Sequence, residues 1–207
     1  KAGKEYYIQP VLETPIIDGN LDDPAWSNIL PITDFIQEDP DNMAEPTEKT
    51  EVYLAYDDHS LYVAARLYDS MPSDITRQLA PRDDWYGAFD EMADWFSIDL
   101  DSRHDHQTGF SFAVNASGVI SDEMVYHDEN FDSDWNGIWN AEVQIDELGW
   151  SVEMEIPFSN LPFYDSDKLI WGMNITRFIQ RKYELVRWMA FPLDVKGVVS
   201  KYGHLHG

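Results

Sequence analysis

The sequence predicts an all-β protein, an antiparallel β-sandwich of jelly-roll type with one or two short helical turns. Three observations carry that expectation. Apolar residues alternate with polar ones at period two through most of the chain. The alternating runs are short and separated by Asp-, Asn- and Gly-rich turns. Segments with helical periodicity are almost absent.

Glu51 to Tyr56 and Leu61 to Tyr68 form the first pair, joined by Asp57-Asp58-His59-Ser60 as a hairpin turn. In the second run Leu61, Val63, Ala65 and Leu67 share a face. Asp94 to Asp101 sets Phe96, Ile98 and Leu100 against Trp95, Ser97, Asp99 and Asp101. Thr108 to Asn115 sets Phe110, Phe112 and Val114 against Gly109, Ser111 and Ala113. Trp139 to Ile145 and Trp150 to Ile156 flank the turn Asp146-Glu147-Leu148-Gly149. Leu169 to Thr176 and Tyr183 to Ala190 close the series through the basic stretch Arg177 to Lys182. Pro24 to Ile29 predicts one helical turn with Asp23 as its N-cap, and Pro157 to Leu161 predicts another.

The chain of 207 residues has no linker-like stretch and is expected to form one domain over 1–207. It lacks cysteine, which excludes thiolate chemistry and disulfides. No run of about 18 apolar residues is present to cross a membrane as a helix. Fourteen basic against 39 acidic residues give a net charge of −25, a field that repels phosphate backbones and argues against a nucleic-acid partner.

Several motifs, in order, resemble those of family 9 carbohydrate-binding modules. Ile17-Asp18-Gly19-Asn20-Leu21-Asp22-Asp23-Pro24-Ala25-Trp26 is similar to the family's opening, and Tyr56-Asp57-Asp58-His59-Ser60-Leu61-Tyr62-Val63 to its first hairpin. Asp94 to Asp101 and Gly149-Trp150-Ser151-Val152-Glu153-Met154-Glu155-Ile156-Pro157 resemble later strands. Arg82-Asp83-Asp84, Asn115-Ala116-Ser117-Gly118, Trp135-Asn136-Gly137-Ile138-Trp139 and Ser200-Lys201-Tyr202-Gly203 look closest to a branch that precedes a bacterial outer-membrane β-barrel. The resemblance implies a non-catalytic sandwich that binds an oligosaccharide or polysaccharide. It also implies calcium in some members, and a secreted, periplasmic or cell-surface location in a Gram-negative bacterium. Sugar-binding members clamp a terminal sugar between two tryptophans; near the C-terminal end this chain instead reads Val195-Lys196-Gly197-Val198-Val199.

The residues themselves offer an aromatic site. Trp85 and Tyr86 lie in a polar stretch beside Arg82 and Asp84, where an indole either stacks on a pyranose or packs under a loop. Trp95 shares the outer face of its strand, and Asn174 and Arg177 are expected to add polar contacts. Asp128, Asn130, Asp132 and Asp134 alternate as the ligands of a calcium loop do, although Ser133 and Trp139 replace the glycine and glutamate of an EF-hand. The alternative is a solvated acidic loop. Asp18, Asp22 and Asp23 form a weaker set.

Paired strand carboxylates (Glu153 with Glu155, Asp99 with Asp101) project in parallel and do not flank a scissile bond. His104 with His106, and His204 with His206, have the i, i+2 spacing from which each pair, with a carboxylate, could hold zinc or copper. One relative of the sandwich fold binds haem, but Met154 and Met173 fall at core spacing. Besides glycan binding, two functions stay open: an interaction or gating domain of an outer-membrane barrel, and a redox-metal or haem domain.

Overall fold

The computed structural model describes residues 3–164 and 168–207. Among the described residues fourteen strands follow in chain order. They are β1 (Glu5–Tyr7), β2 (Gln9–Pro10), β3 (Ile36–Asp39), β4 (Thr50–Tyr56), β5 (Ser60–Tyr68), β6 (Trp95–Asp101) and β7 (Gly109–Asn115). The second half adds β8 (Ile120–Tyr126), β9 (Asn130–Asp132), β10 (Asn140–Asp146), β11 (Gly149–Pro157), β12 (Ile170–Ile179), β13 (Glu184–Arg187) and β14 (Gly203–His206). One helical turn, α1 (Trp85–Ala88), precedes β6, and single 3-10 turns occur at Pro24–Trp26, Pro72–Asp74, Phe158–Asn160, Gln180–Lys182 and Val199–Lys201.

The larger sheet has the order β1-β14-β12-β6-β7-β8-β9, with β13 and β3 continuing from one end of β12. The smaller has the order β10-β11-β5-β4-β2. Because side chains alternate across a strand, each sheet sends one set inward. Phe96, Ile98, Leu100, Phe110, Phe112, Met173 and Ile175 meet Leu54, Leu61, Val63, Leu67, Trp150, Val152, Met154 and Ile156 in one buried cluster. Both methionines called into question by the haem reading therefore pack in the core, fully buried. Burying aliphatic and aromatic side chains of this kind contributes roughly 1.5–3 kcal/mol each.

The opposite face of the smaller sheet is covered by the N-terminal segment. Trp26 packs there on Ala55, Tyr62 and Ala64. Glu153 sits under it, fully buried, and accepts from Trp26 Nε1 (2.9 Å) and from the backbone N–H groups of Asp18 and Gly19 (3.0 Å each). The opening motif and the late-strand glutamate are thus two halves of one clasp. Glu155 instead accepts from Ser60 Oγ at 3.1 Å. In the first hairpin, Asp57 accepts from the N–H groups of His59 and Ser60 and from the Tyr62 hydroxyl.

Two local expectations need correction. Asp23 holds the N-cap position of the turn Pro24–Trp26, but its carboxylate does not bond into that turn and accepts instead from Ile16 N at 3.1 Å. The last long run is strand only over β13. Beyond Arg187 one more backbone bond, Trp188 N to Ile175 O (2.9 Å), holds the chain to β12, and Met189 N then donates to the Asn174 side chain (2.9 Å).

Candidate functional site

The outer face of the larger sheet carries a groove of about 350 Å³, within the range of roughly 300–1,000 Å³ usual for small-ligand sites. Its floor is a polar row written by strand register. Asn174 on β12 pairs with Asp99 on β6, Asp99 with Ser111 on β7, and Ser111 with Glu123 on β8. A second row, Thr176 with Ser97, lies beside it. Loop and edge residues make the sides: Trp85 from α1, Phe131 from β9, Arg187, and the segment carrying Gly197, Val198 and Lys201.

Charge in the floor is arranged for hydrogen bonding. The Ser111 hydroxyl donates to Asp99, and Arg187, which pairs with Glu38 at 3.1 Å, lends Asp99 positive charge. Burial nevertheless dominates and holds Asp99 above the usual carboxylate range. Glu123 is pushed up to about 7, first by burial and then by the negative charge of Asp99. Tyr202 at the groove's end is raised well above 10, again chiefly by burial. The groove therefore offers hydroxyl acceptors, a guanidinium donor and ring faces in one place.

The aromatic end is layered. Trp95 is 7 % exposed, its Nε1 donating to Asp90 O (3.0 Å), and it packs on Phe178. Trp85 lies over this pair, edge-on to Trp95 and stacked on Phe89 with centroids 5.2 Å apart in each case. It is half-buried, so one part of the indole packs and another lines the groove. Phe131, 54 % exposed, pairs across the ladder with Val125 and faces the same groove.

Of the residues the sequence singled out, Trp85, Trp95 and Asn174 come together here. Asn174 acts through its neighbour: its amide bonds both the N–H and the carbonyl of Met189, fixing that segment as a wall. Arg177 does not join them. It points into the interior, fully buried, and donates to Lys49 O, Thr50 Oγ1 and Tyr68 O of the opposite sheet. Arg82 turns over the sheet edge to the buried Asp122 and to Gly137 O. Asp122 also accepts from Trp139 Nε1 (2.7 Å), so this arginine is structural. Asp84 caps α1 by accepting from Gly87 N (3.0 Å), and Tyr86 stands 80 % exposed and outside the groove lining.

The residues expected to hold calcium are divided between a strand and two turns. Asn130 and Asp132 belong to β9. Asp128 spends both carboxylate oxygens on Val198 N, Ser200 N and Ser200 Oγ, and Asp132 accepts from Asp134 N. Among the described residues no group of three or more His, Asp or Glu side chains is converged on a metal. Asp128 in fact ties down the loop that forms a side of the groove. Asp18 is likewise used locally, accepting from Asn20 N.

The sequence reading missed Glu123, Phe131 and Arg187. Alternation through Ile120 to Tyr126 was the signal for the first, since it places Ser121, Glu123 and Val125 on one face.

Comparison with known proteins agrees with this architecture. A solved carbohydrate-binding module of family 9 from Caldicellulosiruptor kristjanssonii, in complex with cellotriose, is 18% identical with a TM-score of 0.68, covering 98% of this chain and 92% of that one. The module from that organism in complex with glucose gives 18% identity and a TM-score of 0.64, over 98% and 94% of the two chains. A putative carbohydrate-binding protein from Bacteroides uniformis gives 14% identity and a TM-score of 0.73, over 99% of both. No curated protein matches the sequence. The family model described as "Carbohydrate family 9 binding domain-like" matches residues 17–187, and the chain belongs to that family.

Proposed function

We propose that this protein is a non-catalytic carbohydrate-binding module that takes a short neutral glycan, or the end of one, into the groove on the larger sheet. The observation that carries the reading is the row Asn174–Asp99–Ser111–Glu123 beneath the rims formed by Trp85 and Phe131. A pyranose presents apolar C–H faces and a ring of hydroxyls. Indole and phenyl faces suit the former; carboxylates that accept and a guanidinium that donates suit the latter. The cellotriose- and glucose-bound relatives support the ligand class. Asp99 and Glu123 rise from one flat floor and project the same way, an arrangement suited to gripping hydroxyls and not to cleaving a bond between them.

Location outside the cytoplasm and a place ahead of an outer-membrane β-barrel are part of the same proposal. The motifs shared with that branch support them, and fractionation of the native host tests them.

Calorimetric titration with glucose, cello-, xylo- and manno-oligosaccharides tests the function. Binding with an affinity lost by about tenfold or more in Trp85→Ala, with the fold intact, is expected. Absence of heat across the panel at roughly 10 mM sugar would refute it.

A further inference from the structure

Two histidine pairs that lie about a hundred residues apart in sequence are brought together at the β1–β14 edge of the larger sheet, away from the glycan groove. His204 and His206 project from β14 on the outer face, opposite Glu5 and Tyr7 of β1. His104 and His106 come from the loop between β6 and β7. Ring centroids are 4.6 Å apart for His104–His106, 5.2 Å for His104–His204 and 6.2 Å for His204–His206. With metal–nitrogen bonds of roughly 2.0–2.1 Å, two imidazoles on one ion have ring centres roughly 4.5 to 6.4 Å apart, depending on the angle between them. These three of the cluster's six pairwise separations fall in that interval.

Three further features set this cluster apart from a chance gathering of rings. His104 Nε2 and His206 Nε2 are both buried without a hydrogen-bond partner among the described residues, and a buried imidazole nitrogen normally finds one. His104 and His106 both adopt left-handed backbone, φ 52° and 58°, a costly conformation for residues with a side chain. The loop is held there by the buried Asp101, which accepts from Asp105 N (3.2 Å) and His106 N (2.8 Å). Asp101 is also in register with Gly172, and Gly172 with His204, so the carboxylate and the imidazole flank a position that has no side chain.

We propose that His104, His106, His204 and His206 form a binding site for one divalent transition metal of the imidazole-preferring class, zinc or copper(II), with Asp101 positioning the His104–His106 loop. Imidazole nitrogen suits these ions and not calcium or magnesium. In the present rotamers the nitrogens are not converged on a metal. His206 is stacked on Tyr7 with centroids 4.6 Å apart, so metal binding requires its ring, and those of its neighbours, to turn about their side-chain torsions.

Untagged full chain is titrated calorimetrically with zinc chloride at about pH 7.5, and with copper(II) separately. The proposal expects one equivalent bound, and an affinity reduced about tenfold or more in each of His104→Ala and His204→Ala. His59→Ala and His127→Ala, which alter the two histidines outside the cluster, should bind as the parent does. Cobalt(II) substitution gives a readout that needs no variant: visible d–d bands of a nitrogen-rich site support the proposal, and the spectrum of the hexa-aquo ion opposes it. Failure to bind zinc or copper at roughly 1 mM, or equal binding after all four cluster histidines are changed in a chain still folded by circular dichroism, overturns it.

Discussion

Replacing Glu123 by glutamine should stabilise the protein at alkaline pH and leave it nearly unchanged in acid. Glu123 stands in the groove floor beside Asp99, and burial followed by that charge raises it from 4.5 to about 7. The folded state therefore holds this proton more tightly than the unfolded chain does. Its contribution to stability is fully present below the unfolded value near 4.5 and is lost as pH rises through about 7. A displacement of that size corresponds to at most about 3 kcal/mol between the two limits. Solvent in the open groove reduces it, so about 1–3 kcal/mol is expected, or roughly 3–10 °C in Tm for a chain of this size. Scanning calorimetry of parent and Glu123→Gln at about pH 8.5 and pH 4.5 measures the difference directly. Asp94, itself raised to about 6 mainly by burial, titrates in both proteins and cancels. Parallel Tm-against-pH curves within about 1 °C would refute the placement of a destabilised carboxylate in the groove.

Other outcomes follow from named contacts. Arg177→Met removes the buried cation facing Asp94 and Asp69, and should cost about 3–5 kcal/mol by urea denaturation while leaving the groove's lining residues in place. Glu153→Ala strands Trp26 Nε1 and two backbone N–H groups; a loss of about 3 kcal/mol or more is expected, and less than about 1 kcal/mol would mean that water replaces the clasp. Phe131→Ala should weaken glycan binding by about 0.5–1.5 kcal/mol with unchanged Tm, read by calorimetric titration. Asp128→Ala should lower Tm by the same amount with and without EDTA, since its oxygens hold residues 198–200; a drop seen only without the chelator would place a cation there.

Strand positions were readable because burial on one face enforces alternation, as Phe96, Ile98 and Leu100 show. The same rule, carried through, separates Asn174 from Arg177: three residues apart on a strand, they must face opposite ways. Grouping them in one site ignored parity, and the structure duly puts one in the groove and the other in the core. Oxygen spacing in Asp128 to Asp134 was ambiguous for a related reason. Alternate acids suit a cation loop and equally suit the exposed side of an edge strand, and Asn130 and Asp132 do lie on such a strand, paired with Tyr126 and Met124. Arg82 beside Trp85 was adjacent in sequence only; a long side chain reaches whatever buried acid is nearest, here Asp122. Long-range meetings, such as Glu153 with Trp26 or His104 with His204, leave no local trace at all.

The groove's floor belongs to four hydrogen-bonded strands, while its sides are short segments individually tethered by Asn174 and Asp128. Such a surface is organised before any ligand arrives, so little ordering entropy is lost on association. Sugars should then enter and leave without a conformational step, giving single-exponential association whose rate rises linearly with concentration. Differences in affinity between saccharides would reside in how long each one stays.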